Sequence, residues 1–170
     1  MGDIMTCAER GKDLDRMVVA FIGDGNNVAN SWINAAGNVP FELRIACPSG
    51  YQPESELLSV AEAKGARVSV LNDPSEAVAG ADVIYTDVWT SMGQEEEKAE
   101  REKHFRPYQV NAELLSGAAS DVIVLHCLPA HRGEEITDEV MDGEHSAVFD
   151  QAENRLHIQK AIMVELMGTR

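Results

Sequence analysis

The chain of 170 residues holds 29 acidic and 14 basic side chains, giving a formal net charge of −15, and 44% of it is hydrophobic. This balance argues against nucleic-acid or anionic-membrane partners, which need a basic footprint, and no apolar run approaches the roughly 20 residues of a membrane span. The length suits one well-buried domain.

Met1 to Thr6 lacks the basic and apolar regions of a secretory leader, so a cytoplasmic setting is expected. Ile4, Cys7 and Ala8 share one face of a predicted helix that Gly11 ends. Residues 17–22 predict a first strand running into Gly23-Asp24-Gly25-Asn26-Asn27-Val28, after which helical spacing resumes from Ala29 to Ala36. Further strands are predicted at 42–47, 67–71, 82–86, 121–125 and 146–149. Helices are predicted at 53–64, 73–79, 94–104, from about 111 to 118, and at 151–167, the last burying Leu156, Ala161, Ile162 and Leu166. Strands and helices alternate throughout, which predicts an α/β fold: a Rossmann-like open parallel sheet flanked by helices on both faces. Cys7, Cys47 and Cys127 are widely spaced and odd in number, as suits reduced thiols rather than a disulfide framework.

Four predicted strand ends carry polar clusters: Asn26-Asn27, Asp87 with Ser91-Met92, His126-Cys127, and Asp150 to Arg155. The carboxyl ends of parallel strands lie on one edge of a sheet, so these segments can converge on one cleft. Singly, each has a plainer reading: Asp87 as a loop cap, Met92 as core, Cys127 as a small buried hydrophobe, Arg155 as a surface ion pair. The Gly-x-Gly turn invites a dinucleotide, yet Val28 stands where the third glycine of that fingerprint belongs. A turn shaped by Gly23 and Gly25 and capped by Asn26 explains the glycines, though not the second asparagine. Metal binding by His126, Cys127 and His131 is disfavoured, because neighbours on a strand point to opposite faces. A cysteine nucleophile with His131 as base would need an orienting residue and an oxyanion site that the sequence does not display.

The segments Gly23-Asp24-Gly25-Asn26-Asn27-Val28, Asp87-Val88-Trp89-Thr90-Ser91-Met92-Gly93, His126-Cys127-Leu128-Pro129-Ala130-His131-Arg132-Gly133 and Phe149-Asp150-Gln151-Ala152-Glu153-Asn154-Arg155 closely resemble the ornithine carbamoyltransferase family, in the same order and over essentially the whole chain. The Ser-Met-Gly loop and the His-Cys-Leu-Pro strand end distinguish that family from its aspartate, putrescine and acetylornithine relatives. Its members carry an amino-terminal domain that binds carbamoyl phosphate through Ser-x-Arg-Thr-Arg and His-Pro-x-Gln motifs, and neither motif occurs here. The resemblance therefore implies a single ornithine-binding domain over residues 1–170, without the carbamoyl-phosphate domain and inactive or nearly so alone. Full-length members are homotrimeric chiefly through that other domain, which implies a monomer here or a non-native association through the exposed domain junction.

By the same resemblance, Asn27 would bind the ornithine α-carboxylate, Asp87 and Ser91 the α-amino group, and Met92 would lend backbone contacts. Cys127 and Leu128 would flank the δ-amine and the carbamoyl group, and Arg155 would reach carbamoyl phosphate. Catalysis would rest on Cys127, coupled to Asp87 and His126, as the neutral δ-amine attacks the carbamoyl carbon and phosphate leaves, with no metal or organic cofactor. The alternative reading is a non-catalytic small-ligand binding or interaction module that reuses the fold.

Overall fold

Side chains alternate across a β-pleat, so a strand buried on both faces divides its apolar residues between two cores. A computed structural model describes residues 1–90 and 95–168. Strands β1 (Val18–Ile22), β2 (Glu42–Ala46), β3 (Arg67–Leu71), β4 (Val83–Thr86) and β5 (Ile123–His126) form one all-parallel sheet in the order β3-β2-β1-β4-β5. Val19, Phe21, Leu43, Ile45, Val83, Tyr85, Ile123 and Leu125 face one core, under helices α1 (Gly2–Glu9), α2 (Asn27–Ala36) and α3 (Ser55–Ala63). Ala20, Ile22, Ile84 and Val124 face the other, under α4 (Pro74–Val78), α6 (Ala112–Leu115) and α7 (Asp138–Met141). The predicted parallel α/β sheet with helices on both faces is the observed one.

The first core centres on Tyr85, which stacks on Phe21 with ring centroids 5.6 Å apart and meets Trp32 edge-on at 5.4 Å. Cys7 and Cys47 are fully buried there, and burial pushes their thiols up to about 12 and about 11. Both behave as small apolar fillers. Helix α5 (Lys98–Phe105) follows a 3₁₀ turn at Glu95–Glu97, and α8 (Val148–Met167) closes the described chain. Among the described residues no helix is long and apolar enough to cross a membrane.

Two expectations fail at the carboxyl end. The predicted sixth strand at 146–149 is one bridge between Val124 and Ser146, after which Val148 opens α8. The edge donor that a longer strand would have to satisfy, His126 N–H, is already bound by Gln151 Oε1 at 2.8 Å, so pairing stops. The predicted buried stripe on the last helix is also displaced. Leu156 and Leu166 are 58% and 78% exposed, Ala161 is exposed and Ile162 half-buried, whereas Gln151 and Asn154 are buried. Helix α8 meets α1 through polar contacts: Gln151 Nε2 donates to Asp3 Oδ1 at 2.6 Å, and Asn154 Nδ2 donates to Thr6 Oγ1 at 3.0 Å and Glu9 Oε2 at 2.6 Å. An apolar period alone does not reveal a polar helix interface.

The turn after β1 shows why glycine is needed there. A Cβ on Gly25 would lie 2.4 Å from Pro53 N and 2.6 Å from the Gln52 carbonyl carbon, so the missing side chain makes room for the loop after β2. Gly25 N–H also donates to Tyr51 O at 2.8 Å. Gly25→Ala is expected to destabilise the chain by about 1–3 kcal/mol, the usual cost of overpacking against atoms that cannot yield. Urea unfolding monitored by tryptophan fluorescence measures this, and an unchanged midpoint would contradict the close approach.

Candidate functional site

From β1 the chain winds outward to β2 and β3, then returns to β4 and β5 on the other side. The crossovers beside β1 and β4 therefore leave in opposite directions, and open α/β sheets bind ligands in the crevice outside the carboxyl ends of two such strands. Asn26 follows β1, Asp87 follows β4 and Cys127 follows β5. In the β4–β5 register Thr86 lies beside His126, so Asp87 and Cys127 come next and fall on the same face.

Asp87 is the centre of this cluster and only 7% exposed. Its Oδ1 accepts from Val88 N–H at 2.8 Å and from the Cys127 thiol at 2.9 Å, while its Oδ2 accepts from Asn26 Nδ2 at 2.9 Å. Burial, then the charge of Asp87 and its hydrogen bond, push the half-buried Cys127 thiol far above its ordinary range. The sulfur is thus a protonated donor. Asn27 is the first residue of α2 and is exposed at the mouth of the crevice, its carbonyl held by Ser31 Oγ at 3.0 Å.

His126 points the other way. Its Nδ1 accepts from Leu128 N–H at 2.9 Å, which leaves the ring proton on Nε2, 3.1 Å from Glu135 Oε1. Glu135 Oε1 also accepts from His131 N–H at 2.5 Å, and both His126 and Glu135 are buried. These bonds hold Leu128 at φ +56, a left-handed conformation costly for a branched residue, directly after Cys127. The structure therefore joins Cys127 to Asp87 and not to His126, whose contacts shape the turn behind the thiol. Leu128 is half-buried there.

The remaining predicted residues are not among the hydrogen-bonded members of this cluster or lie outside the described residues. Arg155 is exposed on α8, one turn past Gln151, with its Cγ packed over Gly2 of α1. Among the described residues it makes no hydrogen bond to Asp87 or Cys127. Ser91 and Met92 lie outside the described residues. Among the described residues a group of potential metal ligands, His131, Glu134 and Glu135, has ligand atoms within 4.8 Å of one another. Lys98 Nζ already sits 2.7 Å from Glu134 Oε1, so that carboxylate has its cation.

Sequence reasoning misses three supports. Asn26 reads as a helix cap within a strand-end polar cluster, and it does accept from Val28 and Ala29 N–H, yet no pattern pairs its amide with Asp87, which it reaches. Gln151 ties His126 N–H and Asp3 to the Tyr85 hydroxyl, 3.3 Å away. Arg101, 4% exposed, pairs with Asp24 and donates from Nε to Trp89 O at 2.6 Å, with its guanidinium over the Tyr51 and Phe105 rings at 4.9 and 5.1 Å. Burial pushes the Asp24 carboxyl up, with Arg101 opposing that shift. No local pattern marks Arg101's pairing with Asp24, which lies 77 positions away in sequence.

A family model described as the Asp/Orn-binding domain of aspartate/ornithine carbamoyltransferase matches residues 15–166. The chain belongs to the aspartate/ornithine carbamoyltransferase family. It is 57% identical over 165 residues to an ornithine carbamoyltransferase of Syntrophus aciditrophicus, covering 96% of this chain and 54% of that protein. It is 56% identical over 168 residues to one of Archaeoglobus fulgidus, covering 99% and 55%. The solved ornithine carbamoyltransferase of Pyrococcus furiosus superposes with a TM-score of 0.92 at 46% identity, covering 99% of this chain and 56% of that one. The chain thus spans about half the length of the curated relatives it matches, and the matched half is the carbamoyltransferase family's amino-acid-binding domain.

The thiol of this carbamoyltransferase domain supplies a test. Iodoacetamide labelling of Cys127 should rise about tenfold per pH unit from pH 7 to 10 without levelling, because only the thiolate reacts. Cys7 and Cys47, fully buried, should stay unlabelled in the folded chain. Asp87→Asn removes a negative charge beside the sulfur and should speed Cys127 labelling at pH 8. Peptide mapping by mass spectrometry reads all three sites, and a plateau below pH 9 would contradict the protonated thiol.

Proposed function

We propose that this chain is the ornithine-binding half of an ornithine carbamoyltransferase, the enzyme class that converts carbamoyl phosphate and L-ornithine to citrulline and phosphate. The observation that carries the reading is the shielded Asp87 carboxylate at the sheet's switch point, hydrogen-bonded to Asn26 and Cys127. An anionic acceptor suits an ammonium, and Asn27 at the amino end of α2 suits a carboxylate, which gains from the helix dipole. The family model covers both aspartate and ornithine, and the charges favour the second. A dicarboxylate would need a cation facing the crevice, and Arg101, the guanidinium behind it, is committed to Asp24.

On this reading the α-amino group sits on Asp87, Ser91 and Met92 are proposed as further ornithine contacts, and the δ-amine lies against Cys127 and Leu128. The amine attacks only when neutral. As it loses its proton toward the sulfur, the thiol proton passes to Asp87 Oδ1, 2.9 Å away, so no free thiolate accumulates. His126 and Glu135 keep Cys127 in place by fixing the turn that follows it. Arg155 is the residue proposed to reach carbamoyl phosphate. The other contacts to that substrate belong to a domain for which this chain has no counterpart motif, so turnover by the chain alone is expected to be negligible.

Isothermal titration of the chain with L-ornithine, alone and with carbamoyl phosphate present, tests the reading. Ornithine should bind, and Asp87→Ala should weaken binding by about 10- to 100-fold, the worth of a hydrogen bond to a charged group. L-Aspartate binding as tightly as L-ornithine would reverse the assignment. Citrulline formation by the chain alone at a rate comparable to a complete enzyme would refute its incompetence.

A further inference from the structure

We propose that Asn26 is a positioning residue, which selects the lone pair of Asp87 that stays open to a ligand's ammonium group. The proposal rests on the ornithine reading for the identity of the ammonium, and on geometry alone for the rest. The Asn26 amide cannot turn over: Oδ1 accepts from Val28 N–H at 2.9 Å and from Ala29 N–H at 3.2 Å, so Nδ2 must face Asp87. A carboxylate offers about four lone-pair positions. Val88 N–H and the Cys127 thiol occupy both on Oδ1, and Asn26 occupies one on Oδ2. Among the described residues no donor takes the remaining position on Oδ2, and Asn26 decides where it points.

The arrangement couples two elements that would otherwise be independent. The amide that starts α2 is the amide that orients Asp87, so the ammonium acceptor has a set direction relative to the amino end of α2, where Asn27 lies. A zwitterionic amino acid presents its ammonium and its carboxylate on one carbon, and their relative direction is what such a site must match. Two adjacent asparagines then have separate tasks. Asn26 orients the acceptor for the cation, and Asn27 faces the anion.

The cap and the positioning role separate by substitution. Asn26→Ser and Asn26→Asp each keep an oxygen to cap α2, so both should melt within a few degrees of the parent, while Asn26→Ala should lose stability as well. Neither cap-preserving variant supplies the amide donor. L-Ornithine affinity should fall about 5- to 50-fold in Asn26→Ser and further in Asn26→Asp, which sets a second carboxylate against Asp87. Without any ligand, iodoacetamide labelling of Cys127 should quicken in Asn26→Ser, as Asp87 loosens from the sulfur, and slow in Asn26→Asp. Parent-like affinity and labelling in both variants would overturn the proposal and leave Asn26 a cap.

Changed labelling in a chain whose parent does not bind ornithine would uphold the positioning role and sink the ornithine reading instead. Should the variants fold poorly, the parent still decides. Its Asn26 side-chain amide protons should be protected from solvent exchange by NMR and lose that protection in Asp87→Ala, and equal exchange in the two would overturn the proposal.

Discussion

A carboxylate withdrawn from water must be met by fixed donors or be protonated, and much of the strand-end architecture here is a response to that requirement at Asp87. Its three donors among the described residues come from three places: the backbone immediately after β4, the thiol after β5 and the amide that begins α2. No single segment could supply them. Only the parallel sheet, which brings the ends of β1, β4 and β5 to one edge, sets them within hydrogen-bond reach. Burying the carboxylate therefore depends on the whole strand order.

Behind this cluster lie two rigid supports. On one side Arg101 is clamped between Asp24, Trp89 O and two aromatic rings, and it ties α5 to the turns after β1 and β4. On the other, His126 and Glu135 hold the left-handed Leu128 and so aim the preceding cysteine. Both supports have buried charged or polar groups without touching Asp87 directly. Substituting one half of such a pair leaves the other uncompensated, which costs more than the pair contributes.

The sheet was readable from sequence because burial on both faces produces short β-branched runs such as Val122 to Leu125, bounded by turn residues, and runs of that length and makeup suit a covered strand better than a helix. Strand ends rich in Asn, Asp, His and Cys likewise announced one edge. What escaped were relations between remote residues. Gln151 replaces a sixth strand by satisfying one edge amide, and the α1–α8 contact is polar, so hydrophobic spacing misjudged both. Asn26 was legible as a cap but not as a partner of Asp87, since its two cap bonds are local and its bond to Asp87 spans 61 positions. His126 and Cys127 adjoin in sequence yet serve opposite faces, as the pleat demands.

The protonated state of Cys127 has a chemical consequence for any site that receives a carbamoyl donor. Thiolates are better nucleophiles than amines toward such electrophiles, and a sulfur poised as thiolate would capture the group and become blocked. By keeping the sulfur beside the Asp87 charge, the fold withholds the anionic form, and on the proposed ornithine reading this would leave the amine without a competitor. On that reading the same contact that gives the thiol a partner would give the site its chemoselectivity.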